Sequence, residues 1–202
     1  MTSRKSAKAP VAKHKSHIVA KPEDPRVAKT RARINAAFVE LVGRRAYFRI
    51  RVSDITRKAR VGRATFYAHF ESKDALLKEQ FIAVVLPRVI ELPDAPCLVD
   101  CTALFDHILA SRDIYSSLAA GPGRVVTDGI VQDALEARIA ALISARAARG
   151  IGMTPTAAFV PRFVAGTILA LIAWSLEQRP APTPAELQAA YALLIGRALR
   201  SG

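Results

Sequence analysis

Cysteine is scarce in this 202-residue chain. Only Cys97 and Cys101 occur, too few for a disulfide scaffold. Long apolar runs are missing too. The longest candidate, Phe163 to Leu176, falls short of the roughly 18–20 residues that span a bilayer and carries Gly166, Thr167 and Ser175. No membrane partner is therefore expected. The opening segment, MTSRKSAKAPVAKHKSHIVAKP, has no apolar stretch of the secretory kind, so cytoplasmic residence is expected. No Gly-x-Ser-x-Gly elbow, phosphate loop or metal-spaced His/Cys cluster appears, so catalysis, metal and cofactor are not expected. Acidic residues are scarce in one region only. Residues 1–70 hold 18 Lys/Arg against 4 Asp/Glu, whereas residues 71–202 hold 12 against 13. The whole excess behind the net charge of +13 thus sits in the first third, which points to a polyanionic partner for that part alone.

Residues 1–22 are rich in Lys, Ala and Ser with little apolar periodicity, and read as a disordered basic arm. Order begins at Asp24-Pro25, where Asp caps a helix and Pro suits its first turn. Val27, Ile34, Phe38 and Leu41 then recur at helical spacing until Gly43. Val52, Ile55 and Ala59 lie on one face of a second helix. After the break Arg60-Val61-Gly62, a third runs from Arg63 to Phe70. Two short helices across a three-residue turn make a helix-turn-helix unit. A fourth helix runs from about Ser72 towards Pro87, and Leu92-Pro-Asp-Ala-Pro96 reads as a linker. Downstream the spacing predicts helices near 97–110, 112–119, 124–148, 155–178 and 184–200, with no strand. Pro161 either kinks the fourth of these or marks its start. Thr183, Pro184 and Glu186 supply a capping box for the last. The fold class is all-α, with a helix-turn-helix domain over 23–71 and a helical domain over 72–202.

A helix entering the major groove needs small or polar residues outside and apolar ones inside. Phe66 and Phe70, four apart, would pack inward and leave Arg63, Ala64, Thr65, Tyr67, Ala68 and His69 facing double-stranded DNA. Arg63 suits guanine, Ala64 a thymine methyl, and Thr65 a phosphate or base. Lys73 would add charge near a phosphate. Ser53 and Thr56 either hold phosphate from the preceding helix or serve as helix-start residues.

The string Arg60–Leu76, with Val61, Thr65, Phe66, Tyr67, His69, Phe70, Lys73 and Leu76 as matching positions, resembles the signature of the TetR family of regulators. Val52, Ile55 and Ala59 precede it in register. A weaker likeness extends to Arg162-Phe-Val-Ala-Gly with Trp174, Leu176 and Glu177, and to a final helix near 183–199. The resemblance implies a repressor released from its operator by a small ligand, with Tyr67 and His69 on the DNA backbone. It departs from the family pattern at Arg60, where Gly is usual; at Gly62, where Ser or Thr is usual; and at Arg51, where Thr is usual. One short recognition helix reads few base pairs, so a homodimer is expected. Leu169, Ile172, Leu176, Tyr191, Leu194 and Ile195 are candidates for its interface. The remaining helices would enclose an apolar cavity for a small-molecule ligand of unknown identity. Phe105, His107, Tyr115, Phe163 and Trp174 are its candidate lining, with Arg112 as a further polar anchor. Two alternatives stay open: a sequence-tolerant architectural DNA binder, and a redox sensor using Cys97 and Cys101 four apart on one helix.

Overall fold

The computed structural model describes residues 24–150, apart from 94 and 96, and residues 159–198. The proposed basic arm and the helix opening at Thr154-Pro155 lie outside them. Among the described residues the chain forms α1 (Pro25–Val42), α2 (Val52–Ala59), α3 (Arg63–His69) and α4 (Lys73–Gln80). A hairpin of two short strands follows, β1 (Ile90–Glu91) and β2 (Val99–Asp100). Then come α5 (Thr102–Ala110), α6 (Arg112–Leu118), α7 (Arg124–Ala148), α8 (Val160–Glu177) and α9 (Pro184–Ala198). The architecture is all-α apart from that hairpin.

Local chemistry sets several ends. The Asp24 carboxylate accepts from the Arg26 N–H at 2.8 Å, ahead of Pro25 at the first helical position. Pro161 occupies the second position of α8 and so belongs to its start, where a missing N–H costs nothing. At α9 the Glu186 carboxylate accepts from the Thr183 N–H at 2.7 Å, and the Thr183 hydroxyl accepts from the Glu186 N–H at 3.2 Å.

Two elements differ from the sequence pattern. The helix expected from residue 97 begins only at Thr102, because Val99 and Asp100 pair antiparallel with Glu91 and Ile90. Long-range bonds hold this hairpin: Tyr191 donates its hydroxyl to the Cys97 carbonyl at 2.7 Å, and Arg146 donates to the Leu92 carbonyl at 2.7 Å. No local pattern announces either bond. The helix expected to run to Pro87 also changes character. After Gln80 the backbone widens into a π turn over Phe81–Val85, then tightens to a 3-10 turn over Leu86–Arg88.

Two apolar cores result. The first gathers Ile34, Phe38, Ile55, Phe66, Phe70 and Leu76. The second gathers Leu104, Phe105, Leu135, Ile139, Ile168 and Tyr191. Their seam falls at the end of α4, since Leu77 belongs to the first and Phe81, just beyond the helix, to the second. Ile114 and Leu118 of α6 pack across it onto the first core. Phe48 makes another bridge, lying so close to the Gly121-Pro-Gly123 turn that a Cβ on Gly121 would fall 2.6 Å from its ring. Gly121 also has φ +63, so both space and backbone require glycine there.

At 18 residues and a mean hydropathy of 1.4, α8 is long and apolar enough to cross a membrane by length and composition alone. Its composition has a simpler account, because the helix is apolar on two faces. Val164, Ala165, Ile168 and Ile172 are buried in the second core, while Phe163 and Trp174 are 44% and 50% exposed on the outside.

Candidate nucleic-acid interface

The outer face of α3 is presented by its inner one. Phe66 and Phe70 are 0% and 2% exposed in the first core, which turns Arg63, Ala64, Tyr67 and Ala68 outward. Thr65 and His69 sit half-buried at the edges of that face. The Arg63 guanidinium lies 5.5 Å over the Tyr67 ring and within 3.4 Å of its hydroxyl, so the two form one flat, polar surface. Arg49 and Arg51 before α2 and Arg60 after it are exposed, as is Arg44, which pairs with Glu40 at 2.8 Å. Arg57 is exposed too, but leans on Asp54 at 2.9 Å.

The turn before α3 is held tightly. Arg60 sits in the left-handed region at φ 53, ψ 49, a conformation costing a non-glycine residue about 1–2 kcal/mol. Its N–H donates to Arg57, and that of Val61 donates to Thr56 at 3.0 Å, which closes the end of α2. Arg33 of α1 then donates to the carbonyls of Ala59 and Arg60, at 2.6 and 2.9 Å. At the other end of α2, Asp54 accepts from the Arg51 N–H at 2.9 Å. That bond, followed by the nearby arginines, holds its carboxyl below the usual range. Arg51 replaces the usual capping side chain without capping, and Asp54 supplies the bond instead.

A family model described as bacterial regulatory proteins, tetR family, matches residues 34–79, the span containing this turn and both helices. Residues 34–79 are thus similar to the DNA-binding segment of that family. A curated relative, the "Uncharacterized HTH-type transcriptional regulator YxbF" of Bacillus subtilis (strain 168), is 43% identical over 56 residues. That match covers 27% of this chain and spans 15% of the relative's length. The fold extends further than the sequence likeness. A TetR transcriptional regulator from Streptococcus agalactiae 2603V is similar over 84% of this chain and 95% of its own, with TM-score 0.58 and 24% identity. The dihydroxyacetone kinase operon activator DhaS is similar over 85% and 96%, with TM-score 0.56 and 19% identity.

Within the span matched by the family model, not every expected DNA residue faces outward. Ser53 is exposed, but Thr56 is 8% exposed and its hydroxyl bonds to the Ser53 carbonyl at 3.2 Å, inside its own helix. Lys73 is half-buried and turned inward. Its ammonium donates to the carbonyls of Tyr47 and Ile50, each at 3.0 Å, and lies 4.0 Å over the Tyr47 ring. Desolvation holds its pKa below the usual lysine range. The Tyr47 hydroxyl bonds to Asp74 of the same turn, and burial, with Asp74 behind it, pushes that phenol up. Lys73, Asp74 and Tyr47 thus clamp α4 to the loop before α2. Sequence reasoning missed this clamp, because a lysine at a helix start shows no sign of which carbonyls lie across from it.

The expected ligand residues disperse. Phe105 is 0% exposed within the second core. Phe163 and Trp174 lie on the outer face of α8, where Trp174 borders an open groove beside Pro180 and Glu186. His107 and Tyr115 line a common cavity, with ring centroids 5.7 Å apart. Arg112 donates to the Leu176 carbonyl and, at 2.9 Å, to that of Gln178, and so caps α8 rather than anchoring a ligand. Of the expected interface residues, Ile172, Tyr191 and Ile195 are buried within the chain, whereas Leu194 is 53% exposed. Cys97 and Cys101 do not share a helix. Cys97 lies in the hairpin turn and Cys101 just before α5; both are free and buried, and burial pushes both thiols up.

Proposed function

We propose that this protein is a sequence-specific transcriptional regulator that binds double-stranded DNA as a homodimer, with a small apolar ligand releasing it from its operator. The observation that carries the reading is the outer face of α3, where Arg63, Ala64, Thr65, Tyr67 and His69 surround a surface that Phe66 and Phe70 hold in place. Arg63 is suited to a guanine edge and Ala64 to a thymine methyl, with Tyr67 on the backbone beside them. Ser53 and the exposed arginines around the turn would engage phosphates. Phe163 and Trp174, eleven residues apart and so on one side of α8, together with the exposed Leu193 and Leu194 of α9, would supply the surface on which a second copy packs. This replaces the interface set expected from spacing, half of which is spent inside the chain.

Selection of the purified protein on randomised duplex DNA, with light scattering of the complex, tests the reading. Recovery of an inverted repeat, bound by two chains about 10³-fold or more above random duplex, supports it. Recovery of no motif, with affinity collapsing at higher salt, would replace it with an architectural, charge-driven binder. The tetR fold also occurs in DhaS, named an operon activator, so transcription from the selected site decides between repression and activation.

A further inference from the structure

A cavity of about 130 Å³ lies at the seam between the two cores. Phe38, Val39 and Val42 of α1 form one wall, so the helix-turn-helix domain itself lines it. Phe81 and Val84 of the π turn form a second, and α5 and α6 supply His107, Ser111 and Tyr115 as a third. A separate space of about 60 Å³ lies beyond Phe81 and Tyr115, between α7 and α8, with Val131 and Leu169 in its lining.

We propose that the seam cavity is an effector site for a neutral, single-ring molecule carrying one hydroxyl or carbonyl group, held against His107, Ser111 and Tyr115. Size sets the ring count: a cavity of about 150 Å³ is known to hold benzene. Polarity sets the single group, because apart from Gln80 the remaining walls are apolar and the three polar groups sit together on α5, α6 and their junction. Among the described residues, the His107 imidazole and the Ser111 and Tyr115 hydroxyls make no hydrogen bond, so their capacity is unspent. Desolvation sets neutrality: among the described residues no charged side chain lines the cavity, so a charged ligand would lose its hydration there without a partner in the walls. Burial, then the nearby Arg88, hold His107 below its usual range against the opposing pull of Asp106, so the imidazole is neutral at pH 7. Arg88 itself donates to the Val84 carbonyl. Burial also pushes the Tyr115 phenol up to about 12, leaving it a neutral donor.

The π turn is an independent pointer. Such turns are rare and concentrate at functional sites, and this one falls on the stretch of the α4 region that lines the cavity. A ring between α1 and α6 would press on the π turn and on α1 together. The Arg33 bonds tie α1 to the turn before α3, and Lys73 ties α4 to the same domain. Occupancy would therefore re-aim the recognition helix. That consequence rests on the DNA-binding reading; occupancy itself does not.

The test titrates the full-length protein calorimetrically with phenol and with benzoate, without DNA. Phenol should bind with Kd of about 1 mM or tighter, a modest efficiency for seven heavy atoms. Benzoate should bind about tenfold more weakly or worse. Val39→Trp, placed at the exposed rim, should weaken phenol about tenfold with helix content unchanged, whereas Leu169→Trp should leave binding within about twofold. In the wild-type protein, amide shifts on phenol addition should centre on Val39, Phe81 and Ser111, which keeps the test decisive if a variant misfolds. No phenol binding at 10-fold the expected Kd would overturn the proposal. So would benzoate binding equal to phenol, or shifts centred on Val131 and Leu169. Operator affinity is measured in parallel with and without phenol. Loss of phenol binding alone removes the cavity site, and absence of operator binding alone removes the regulator reading.

Discussion

The first core is tied together by side chains that reach backbone close by in the fold, the second by side chains that reach across it. Around α2 and α3, Arg33, Asp54 and Lys73 each satisfy main-chain groups at helix ends and turns within the same small domain. In the second core, Arg112, Arg146 and Tyr191 bond to carbonyls 64, 54 and 94 residues distant. The contrast explains why one half of the chain presents a defined outer surface and the other a set of seams. Short helices whose apolar faces share one small core leave the opposite face to solvent. The cavity beside His107 lies where the second core meets the first, between α1, the π turn, α5 and α6.

The sharpest way to break this comparison is to remove the inward anchor of α3. Phe66→Ala should cost about 3–5 kcal/mol in urea denaturation and strongly weaken DNA binding, because Phe70 alone would be left to hold the outer face in place. A loss below about 1 kcal/mol would mean that α3 is not fixed by its core. Next in size is Lys73→Met. Two bonds from a charged donor suggest roughly 1.5–3 kcal/mol, reduced to about 1–2 for a half-exposed group. Its salt dependence of DNA binding should match the wild type. A slope lower by about one, with stability unchanged, would instead make Lys73 a phosphate contact.

Arg60→Gly acts in the other direction. Relief of the left-handed backbone should raise stability by up to about 1 kcal/mol, read by thermal melting, while removing one cation beside the recognition face. The smallest effect is a pH dependence at Asp54. Its folded-state carboxyl lies below the unfolded value, so its contribution is complete above about pH 4 and disappears as pH falls through the folded value. The Tm difference between wild type and Asp54→Asn should therefore be present at neutral pH and close on acidification. A constant difference would place the effect elsewhere.

The same contrast governs what was legible in the sequence. Asp24-Pro25, the break at Arg60–Gly62, and Thr183 with Glu186 are local signals, and the corresponding helix ends lie where they indicate. The inward pair Phe66 and Phe70 was readable for the same reason. Thr56 and Lys73 were not, because a buried hydroxyl and an inward-turned ammonium depend on neighbours distant in sequence. On the long helices periodicity gives an apolar stripe without saying what covers it. Phe105 lies in the core and Phe163 on the outside, although both satisfy the same spacing argument. The hairpin at residues 90–100 left no sequence pattern, since two-residue strands are too short to alternate.

The central claim is that the outer face of α3 reads bases, and the most direct test repeats the DNA selection with Arg63→Ala. The account predicts the wild-type inverted repeat with preference relaxed at one base position in each half-site, and other positions unchanged. Recovery of the full wild-type consensus, bound more weakly by the same factor at every sequence, would make Arg63 a backbone contact and contradict it.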